Sequence, residues 1–339
     1  MTIRVAVHGQ SGFASRWMDS GPAKGVEIVR VNGFSSDVLS RIEGCSAFLW
    51  HLNHDQYNDL WFARNILSAI ETRGIRVFPN RTTASHFDDK IAQKYLLESI
   101  GAPLAKTWVF FSKDDAQQFL DDARFPLVFK LRRGAGSMNV RKVETRREAV
   151  ALINRMFWGG INPFPTGERL KRSVQRAVSG KRHSRSFGQR ILNVLRQFIQ
   201  KALYPNRERG YVLFQHFVPG NDHDIRATVI GNRCFVFHRE VRPKDFRASG
   251  SGRIVYLDPA DIPGDVVDTA FSISKTLQFQ SMAYDFVRDP DSHNPVLLEM
   301  SYVFNAEAIE RCPGYWDIDH HWHPGHVWPQ DAILDDLLA

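Results

Sequence analysis

Short apolar segments alternate with amphipathic segments through the first hundred residues, and this alternation limits the possible folds more than any other feature. Residues 3–9, IRVAVHG, have the composition of a buried strand, whereas residues 59–72 carry apolar side chains three and four positions apart, as on one helix face. Because a helix returns the chain to the same edge of a sheet, such strands pair in parallel. The pattern predicts a parallel α/β domain, with further strands over residues 26–32, 45–52 and 75–80 and a helix over residues 85–100.

The alternation continues beyond residue 104, but residues 162–209 interrupt it with a segment rich in Arg, Lys and Ser. From residue 211 onward predicted strands dominate, and one long helix is expected near residues 266–277. We therefore expect three domains, over residues 1–103, 104–210 and 211–339, with the inserted segment in the second domain.

The net charge of +7 is concentrated in the inserted segment. Residues 168–209 contain twelve Lys or Arg and two Asp or Glu, so this stretch carries +10 and the rest of the chain −3. Residues 187–203 predict a basic amphipathic helix. Three interpretations stay open: a solvated lid extension, a docking surface for an anionic partner or membrane headgroups, and a nucleic-acid surface. Nucleic acid ranks last, because the segment has few aromatic side chains for base stacking.

The cysteines and the apolar runs indicate the cellular compartment of the protein. The three cysteines, Cys45, Cys234 and Cys312, are odd in number and widely spaced, which fits a reducing cytoplasm better than a disulfide framework. The apolar runs fall short of the roughly 18 residues of a membrane span, and the N-terminus lacks the features of a signal peptide. We expect a cytoplasmic protein, with the inner membrane face as a further location if the basic segment binds lipid. The sequence gives no indication of the oligomeric state.

Lys130 ends an apolar strand ahead of a glycine-rich stretch, FPLVFKLRRGAGSMNV, at residues 125–140. This order excludes a Walker A loop, in which the lysine follows the glycines. Gly134 and Gly136 allow the backbone to approach an anion closely. Alone, Lys130 is typical of a surface lysine with a buried stem, but Lys90 offers a second lysine near a predicted helix start.

Two carboxylates, Asp285 in AYDF and Glu299 in LLEM, lie on predicted strands that a short turn joins. Carboxylates on neighbouring strands can share Mg²⁺, which binds a few carboxylates together with substrate phosphates. Two lysines, a glycine loop and a carboxylate pair together indicate an ATP–Mg²⁺ site without a Walker A loop.

In their order and spacing these motifs resemble those of the ATP-grasp superfamily, in particular RimK-like carboxylate–amine ligases and ATP-grasp proteins of polysaccharide gene clusters. The resemblance extends over about residues 75–315, with residues 162–209 as an insertion. It implies an α/β (α+β) fold: an N-terminal Rossmann-like pre-ATP-grasp domain, followed by an ATP-grasp fold that holds ATP between two α+β subdomains. The matching stretches are DDKIAQKYLLESIGAPLAKTWVF, RRGAGSMNV, QHFVPGNDHDIRATVIG, DFRASGSG, AYDF and LLEM.

The resemblance also implies a role for each matching residue. Lys90 and Lys130 would contact the phosphates of ATP, and the mobile loop that closes over them would contain Gly134, Gly136 and Ser137. Adenine would be lined, mostly by backbone, by Gln215, Phe217 and Val218. The ribose hydroxyls would be bound by Asp224, with Asp222 as the competing candidate.

The catalytic and metal residues follow from the same resemblance. Arg247, in DFR, would meet the γ-phosphate or acyl phosphate, and Arg226, in DIR, is the second predicted catalytic residue. The alternative interpretation is an exposed charged face that also includes Arg239 and Arg242. Mg²⁺ or Mn²⁺ would be bound by Asp285 and Glu299. Ser301 stands where the family usually has an asparagine, so Asn305 or water is the alternative third ligand.

The implied activity is an ATP-dependent carboxylate–amine ligase that acts through an acyl phosphate, on a sugar acid or an amino acid in cell-surface polysaccharide biosynthesis. Two alternatives stay open: a small-molecule kinase that uses the same ATP site, and a non-catalytic nucleotide-binding scaffold, which Ser301 favours. Substrate contacts are expected from residues 8–11 and 51–54. The C-terminal histidines predict a packed aromatic tail or a lid rather than a zinc site; they are His320, His321, His323 and His326.

Overall fold

The computed structural model describes residues 2–339 except Gln10, Ser11, Asp55, Ala135, Met138, Lys244 and residues 164–206. The predicted helix over residues 187–203 lies outside the described residues. The chain divides into two compact units: unit 1 comprises Met1–Ala105 and Val218–Ala339, and unit 2 comprises Lys106–Phe217. None of the helices in the described ranges is long and apolar enough to cross a membrane.

Unit 1 begins with a four-stranded parallel sheet, as the sequence predicts. Its strands are β1 (Ile3–His8), β2 (Val26–Val31), β3 (Ala47–Leu49) and β4 (Arg76–Phe78), in the order β2-β1-β3-β4. The helices of this region are α1 (Phe13–Ser20), α2 (Val38–Arg41), α3 (Arg64–Thr72), α4 (Arg81–Ala84) and α5 (Lys90–Ser99), with a 3₁₀ turn at Pro22–Lys24 and a π-helical turn at Asp59–Ala63.

Helix α5 begins five residues later than the sequence predicts. Asp88 has a φ of 52°, which a continuous right-handed helix does not permit. Asp89 then caps the helix, because its carboxylate accepts hydrogen bonds from the amides of Ile91 and Ala92 at 3.1 and 3.0 Å. The interruption places Lys90 at the first position of α5, at the helix N-terminus.

Unit 2 is built on a four-stranded antiparallel sheet. The strands are β5 (Thr107–Phe110), β6 (Leu127–Lys130), β7 (Arg141–Val143) and β8 (Val212–His216), in the order β5-β8-β6-β7, and the helices are α6 (Lys113–Asp122) and α7 (Arg146–Trp158). The sequence predicts a domain boundary at residue 210, but β8 is a central strand of this sheet and belongs to unit 2. The pattern of β8 shows that it is buried but not which strands it pairs with.

The C-terminal part of unit 1 is a seven-stranded antiparallel sheet in the order β13-β12-β9-β10-β14-β15, with β11 also paired to β10. Its strands are β9 (His223–Ile230), β10 (Arg233–Glu240), β11 (Ile254–Tyr256), β12 (Ser281–Arg288), β13 (Pro295–Ser301), β14 (Gly314–Asp317) and β15 (Trp322–Pro324). The helical segments are a 3₁₀ turn at Pro259–Asp261, α8 (Gly264–Thr276), α9 (Ala306–Glu310) and α10 (Pro329–Leu338).

Polar contacts join the two sheets of unit 1. The Gln280 side chain accepts from the Asn80 amide at 2.7 Å and donates to the Val77 carbonyl at 2.8 Å. The Tyr302 hydroxyl, just after β13, accepts from the Leu52 amide at 3.2 Å. The segment after β3 is thereby held beside the end of β13, near the predicted metal residues.

The histidine-rich tail contains β14 and β15, which form one edge of the large sheet. Strands β14 and β15 form a hairpin in which Trp316 and Trp322 meet edge to face at 5.5 Å, and Tyr315 stacks on His323 at 4.9 Å. These contacts correspond to the packed aromatic tail among the expectations. His321 also lies near Asp317 and Asp319, with one ligand-type atom of each within 4.8 Å of the others.

The ends of the inserted segment are joined by two backbone hydrogen bonds, between Ile161 and Glu208, each of 2.9 Å. We call the paired residues Ile161 and Glu208 the neck of the inserted segment. We predict that replacement of residues 164–206 by a four-residue Gly/Ser linker leaves cooperative thermal unfolding intact, because the neck already joins the ends of the segment and loop length changes stability only slowly. Circular dichroism would measure this. A larger excision of residues 160–209, which removes the neck, should unfold unit 2; equal damage from both deletions would contradict the prediction.

Candidate functional site

The two predicted metal carboxylates lie directly opposite each other in the large sheet. Asp285 on β12 pairs with Glu299 on β13, and the register shifts immediately afterwards, between Asp285 and Phe286. Directly opposed residues of antiparallel strands point to the same face. The register therefore sets both carboxylates on one face of unit 1.

Asp285 is part of a ladder of four charges across β12, β9 and β10. Arg226 donates to both of its oxygens, at 2.7 and 2.8 Å, and Arg239 approaches it at 2.8 Å. Arg239 also binds Asp224 in a two-pronged contact, at 2.7 and 2.5 Å. The exposed charged face that was the alternative interpretation is wrong for these two arginines, since Arg239 is only 7% exposed and Arg226 is half-buried against Asp285.

Burial and ion pairing have opposite effects on the pKa values of the two carboxylates in this charge ladder. Burial alone would raise the pKa of Asp285, but the guanidinium groups of Arg226 and Arg239 outweigh it and hold this pKa well below its usual range. Burial, and then the negative charge of Asp285, raise the pKa of Asp224, while Arg239 opposes the rise. The two arginines thus favour the ionised form of Asp285.

Lys90 lies near the second carboxylate. Its Nζ is 3.8 Å from Glu299 Oε2, and both side chains are partly buried. At this distance the ammonium and the carboxylate attract each other through the charge of each group. Unit 1 therefore brings together a predicted phosphate lysine and both predicted metal carboxylates.

The other two predicted metal ligands, Ser301 and Asn305, form hydrogen bonds with nearby backbone groups. The Ser301 hydroxyl donates to the Val303 carbonyl at 3.1 Å and accepts from the Val303 amide at 3.2 Å. The Asn305 side chain caps α9 by accepting from the Glu307 amide at 2.9 Å. Serine and asparagine often form such local contacts, so sequence position alone does not identify them as ligands. Of the four predicted metal ligands, Asp285 and Glu299 are the two that offer carboxylate oxygens, which Mg²⁺ prefers.

Arg247 lies in the loop between β10 and β11. It binds Asp245 with its Nε and a terminal nitrogen, the latter at 2.7 Å, and this hydrogen bond lowers the pKa of Asp245. Arg242 lies in the same loop and donates to the Ser249 carbonyl at 2.9 Å. The predicted catalytic arginine thus has a local carboxylate partner that holds its side chain in place.

Lys130 is the last residue of β6 in unit 2 and is only 6% exposed. The glycine loop follows, and its backbone has positive φ at Gly134 (123°), Gly136 (64°), Ser137 (60°) and Asn139 (59°). Glycine adopts such angles without steric cost, whereas Ser137 and Asn139 do so less readily. Lys130 is thus a buried lysine at the end of a strand, followed by several residues with positive φ; its phosphate role stays a prediction.

Gln215 is buried in β8, where its side chain donates to Thr107 Oγ1 at 3.0 Å. Strand β8 ends at His216, so Phe217 and Val218 leave the sheet. The Phe217 ring lies 4.6 Å from Lys142 Nζ. Of the three predicted adenine residues, Phe217 and Val218 therefore present irregular backbone, whereas Gln215 is part of the sheet.

The predicted substrate residues lie where β1 and β3 of the parallel sheet end. His8 stacks on Trp50 at 4.1 Å and accepts from the Gly33 amide at 2.7 Å, while His51 stacks on Phe13 at 4.0 Å. Burial lowers the pKa of His8 to about 4 and that of His51 to about 3, so both imidazoles are neutral near pH 7. The carboxyl ends of parallel strands are a common place for ligands, and here they present uncharged aromatic groups.

Sequence reasoning missed three structured residues. Arg239 was grouped with surface arginines, although it is the buried centre of the charge ladder. Glu208 and Tyr211 adjoin the basic segment, yet both are buried in unit 2 and contact the residues that follow Lys130. The signal for Arg239 is its position after the apolar run CFVF on the same strand; no local signal identifies Glu208.

Comparisons with known proteins agree with this architecture. No protein-family model matches the sequence. The chain is 23% identical over 259 residues to a "Probable alpha-L-glutamate ligase" of Legionella pneumophila, a match that covers 74% of this chain and 67% of that protein. A RimK-domain ATP-grasp protein of Sphaerobacter thermophilus superposes with a TM-score of 0.57 at 18% identity and covers 99% of this chain and 100% of its own.

A second solved structure is similar to the same extent. The D-alanine–D-alanine ligase of Bacillus anthracis, in complex with ATP, superposes with a TM-score of 0.59 at 13% identity and covers 100% of this chain and 97% of its own. The chain therefore has the fold of the ATP-grasp ligases, which confirms the fold class and the resemblance that the sequence predicts.

We predict that Arg239→Met lowers the free energy of unfolding by about 3–5 kcal/mol at pH 7.5, because it leaves the buried Asp224 carboxylate without its ion-pair partner. Without Arg239, the folded-state pKa of Asp224 lies further above its unfolded value. The loss of unfolding free energy relative to the wild type should therefore shrink as the pH falls and the carboxyl takes up a proton. Urea unfolding at pH 7.5 and pH 5.5 would measure both effects.

The matched control is Arg233→Met on the same strand, because Arg233 pairs with Asp336 at the surface and such pairs contribute at most about 1 kcal/mol. A loss from Arg239→Met that equals the control, or that does not change with pH, would contradict the account of the ladder.

Proposed function

We propose that this protein is an ATP-dependent ligase that joins a carboxylate to an amine through an acyl phosphate. The register of β12 and β13 carries the proposal, because it sets Asp285 and Glu299 opposite each other with Lys90 beside Glu299. Phosphoryl transfer needs a charged site of this kind, with a divalent cation and lysine near the phosphates. The likeness to proteins named as ligases supports the same reaction class.

The proposed reaction has two steps. The substrate carboxylate attacks the γ-phosphate of ATP, so that an acyl phosphate forms and ADP leaves. The amine then attacks the carbonyl carbon, the amide forms and inorganic phosphate is released. Neither step requires a nucleophilic side chain, so the work of the protein is to position the reactants and neutralise charge.

The site residues divide this work. Lys90 in unit 1 and Lys130 in unit 2 would bind phosphate oxygens, and the loop with Gly134 and Gly136 would cover them. Arg247 would stabilise the charge on the transferred phosphate. Arg226 would hold Asp285 in place, since both of its donor nitrogens already bind that carboxylate.

The nucleoside contacts are proposed on the same basis. Phe217 and Val218 would line the adenine with backbone outside β8, and Gln215 would support them from within the sheet. Asp224 would accept the ribose hydroxyls. A carboxylate offers about four lone-pair positions, so Asp224 can do this while it binds Arg239.

The divalent cation, Mg²⁺ or Mn²⁺, would be held by Asp285 and Glu299 and would supply neutralisation of phosphate charge. The guanidinium groups of Arg226 and Arg239 hold the pKa of Asp285 low, and Glu299, which lies 3.8 Å from Lys90 Nζ, would be the second anionic ligand. Ser301 and Asn305 would remain bound to the backbone, and water would complete the coordination.

For the carboxylate substrate we propose an amino acid first, because the curated relatives are named as glutamate ligases, and a sugar acid of cell-surface polysaccharide biosynthesis second. The neutral aromatic surroundings of His8 and His51 would receive part of it. The basic segment would bind an anionic partner or membrane surface from the cytoplasm.

We predict that Lys130→Ala lowers the rate of ADP release by on the order of 10²-fold, because a buried cation that meets a transferred phosphate contributes most in the transition state. The assay is ADP release in the presence of both an acid and an amine. The matched control is Lys113→Ala, an exposed lysine at the start of α6 in the same unit.

Wild-type turnover by Lys130→Ala would contradict the assignment. ADP release that needs a hydroxyl acceptor but no amine would favour a kinase, and nucleotide binding without any ADP release would favour a scaffold.

We predict that Glu299→Gln weakens Mn²⁺ binding by at least about tenfold in the presence of ADP, because it removes one of two anionic ligands. Electron paramagnetic resonance of free Mn²⁺ measures this without turnover. Glu98→Gln, which alters an exposed pair with Lys94 on α5, is the control and should bind Mn²⁺ like the wild type. Unchanged binding by Glu299→Gln would place the cation elsewhere.

A further inference from the structure

A buried carboxylate, Glu208, lies at the base of the glycine loop in unit 2. Its side chain is 4% exposed, and each of its oxygens has a donor: Arg133 Nε binds Oε1, and the Tyr211 hydroxyl donates to Oε2 at 2.9 Å. Burial, together with the charge of Glu208, raises the pKa of Tyr211, so the hydroxyl keeps the proton that it donates. Burial of a carboxylate is costly unless its oxygens are paired, and here both of them have a donor.

The same carboxylate holds two successive residues of the chain that leaves Lys130. The Tyr211 hydroxyl accepts from the Arg132 amide at 2.7 Å, so the Arg132 backbone is joined to Glu208 through one tyrosine. The next residue, Arg133, binds Glu208 directly with its side chain. Gly134 follows with a φ of 123°, where the loop turns. The path from Lys130 to this turn is thus fixed by two side chains, those of Tyr211 and Glu208, from a distant part of the sequence.

Glu208 is itself held at its backbone. It exchanges two hydrogen bonds of 2.9 Å with Ile161, and the Gly210 amide donates to the Met156 carbonyl at 3.0 Å, at the end of α7. The loop has a second tether, since Asn139 Nδ2 donates to the Pro163 carbonyl at 2.7 Å. The glycine loop is therefore anchored at both of its ends to the neck of the inserted segment.

We propose that Glu208 is a positioning residue for nucleotide binding: with Tyr211 and Arg133 it holds Lys130 and the start of the glycine loop in the geometry that binds the phosphates of ATP. This inference rests on the proposed function. A site holds its geometry only when residues behind the contacting groups fix them, and small displacements of such groups weaken binding strongly. The charge of Arg133 makes it a candidate for phosphate binding, but its side chain binds Glu208.

The first test is Tyr211→Phe, which removes the link to the Arg132 amide but leaves the ion pair of Arg133 and Glu208. Isothermal titration with ADP and Mg²⁺ should show affinity reduced by about fivefold, the effect of one buried hydrogen bond. Glu208→Gln should reduce it by at least about tenfold. Steady-state kinetics should show a higher KM for ATP, with the KM of the amine unchanged.

Glu208→Gln leaves a buried guanidinium without a counter-charge and can unfold unit 2. The double variant Arg133→Gln with Glu208→Gln removes this charge and keeps a hydrogen-bonding pair, so it should fold and recover part of the ADP affinity. Glu144→Gln, at an exposed glutamate of the same unit that pairs with Lys142, is the matched control and should bind ADP like the wild type.

Folded Tyr211→Phe and double variants that bind ADP with wild-type affinity would overturn the inference. A lower unfolding temperature with unchanged ADP affinity would also overturn it, because it would make Glu208 merely structural. Failure of the wild-type protein itself to bind ADP would overturn the proposed function, and this inference with it, so the two failures are distinguishable.

Discussion

Two guanidinium groups and two carboxylates, joined across strands β12, β9 and β10, determine the arrangement of the candidate catalytic face in unit 1. Each of these charges is wholly or partly removed from water, and such a charge costs several kcal/mol unless it is paired. Because Asp285, Arg226, Arg239 and Asp224 satisfy one another only in one register, the pairing fixes the strands as firmly as the apolar pattern does. A shift of one of these strands by one residue would turn its own members of the ladder to the opposite face.

That register has consequences beyond the ladder. It sets Glu299 opposite Asp285, and Glu299 in turn attracts Lys90, whose position follows from the interruption at Asp88. In unit 2 a second buried carboxylate, Glu208, is proposed to position Lys130, the other lysine for which we propose phosphate binding. Each of the two lysines thus lies beside charged residues that are far from it in sequence, which the short individual motifs do not reveal.

The alternation of apolar and amphipathic segments predicted the parallel sheet, and the order of motifs predicted the ATP-grasp fold. The sequence did not show which strands pair with each other or which charged residues form ion pairs. The composition of β8 indicates a strand, but only pairing with β5 and β6 assigns it to unit 2. Arg239 has the chemistry of a surface residue, and only the carboxylates on neighbouring strands make its burial favourable.

Local backbone contacts and conformation explain the remaining differences between the predicted and the observed site. Ser301 and Asn305 were expected near a metal because of their place after Glu299, but short polar side chains bind nearby backbone readily. The left-handed conformation of Asp88 likewise ended a helix that periodicity alone would extend to Ser85. Such effects depend on tertiary constraints that periodicity does not encode.

The central claim, that an acyl phosphate links ATP cleavage to amide formation, is tested most directly by the fate of a carboxylate oxygen. An acid substrate labelled with ¹⁸O in its carboxylate would be incubated with ATP, the amine and the protein, and the released phosphate analysed by mass spectrometry. The account predicts one ¹⁸O atom in the phosphate for each amide formed, because the attacking oxygen leaves with the phosphoryl group. Unlabelled phosphate accompanying amide formation would contradict it.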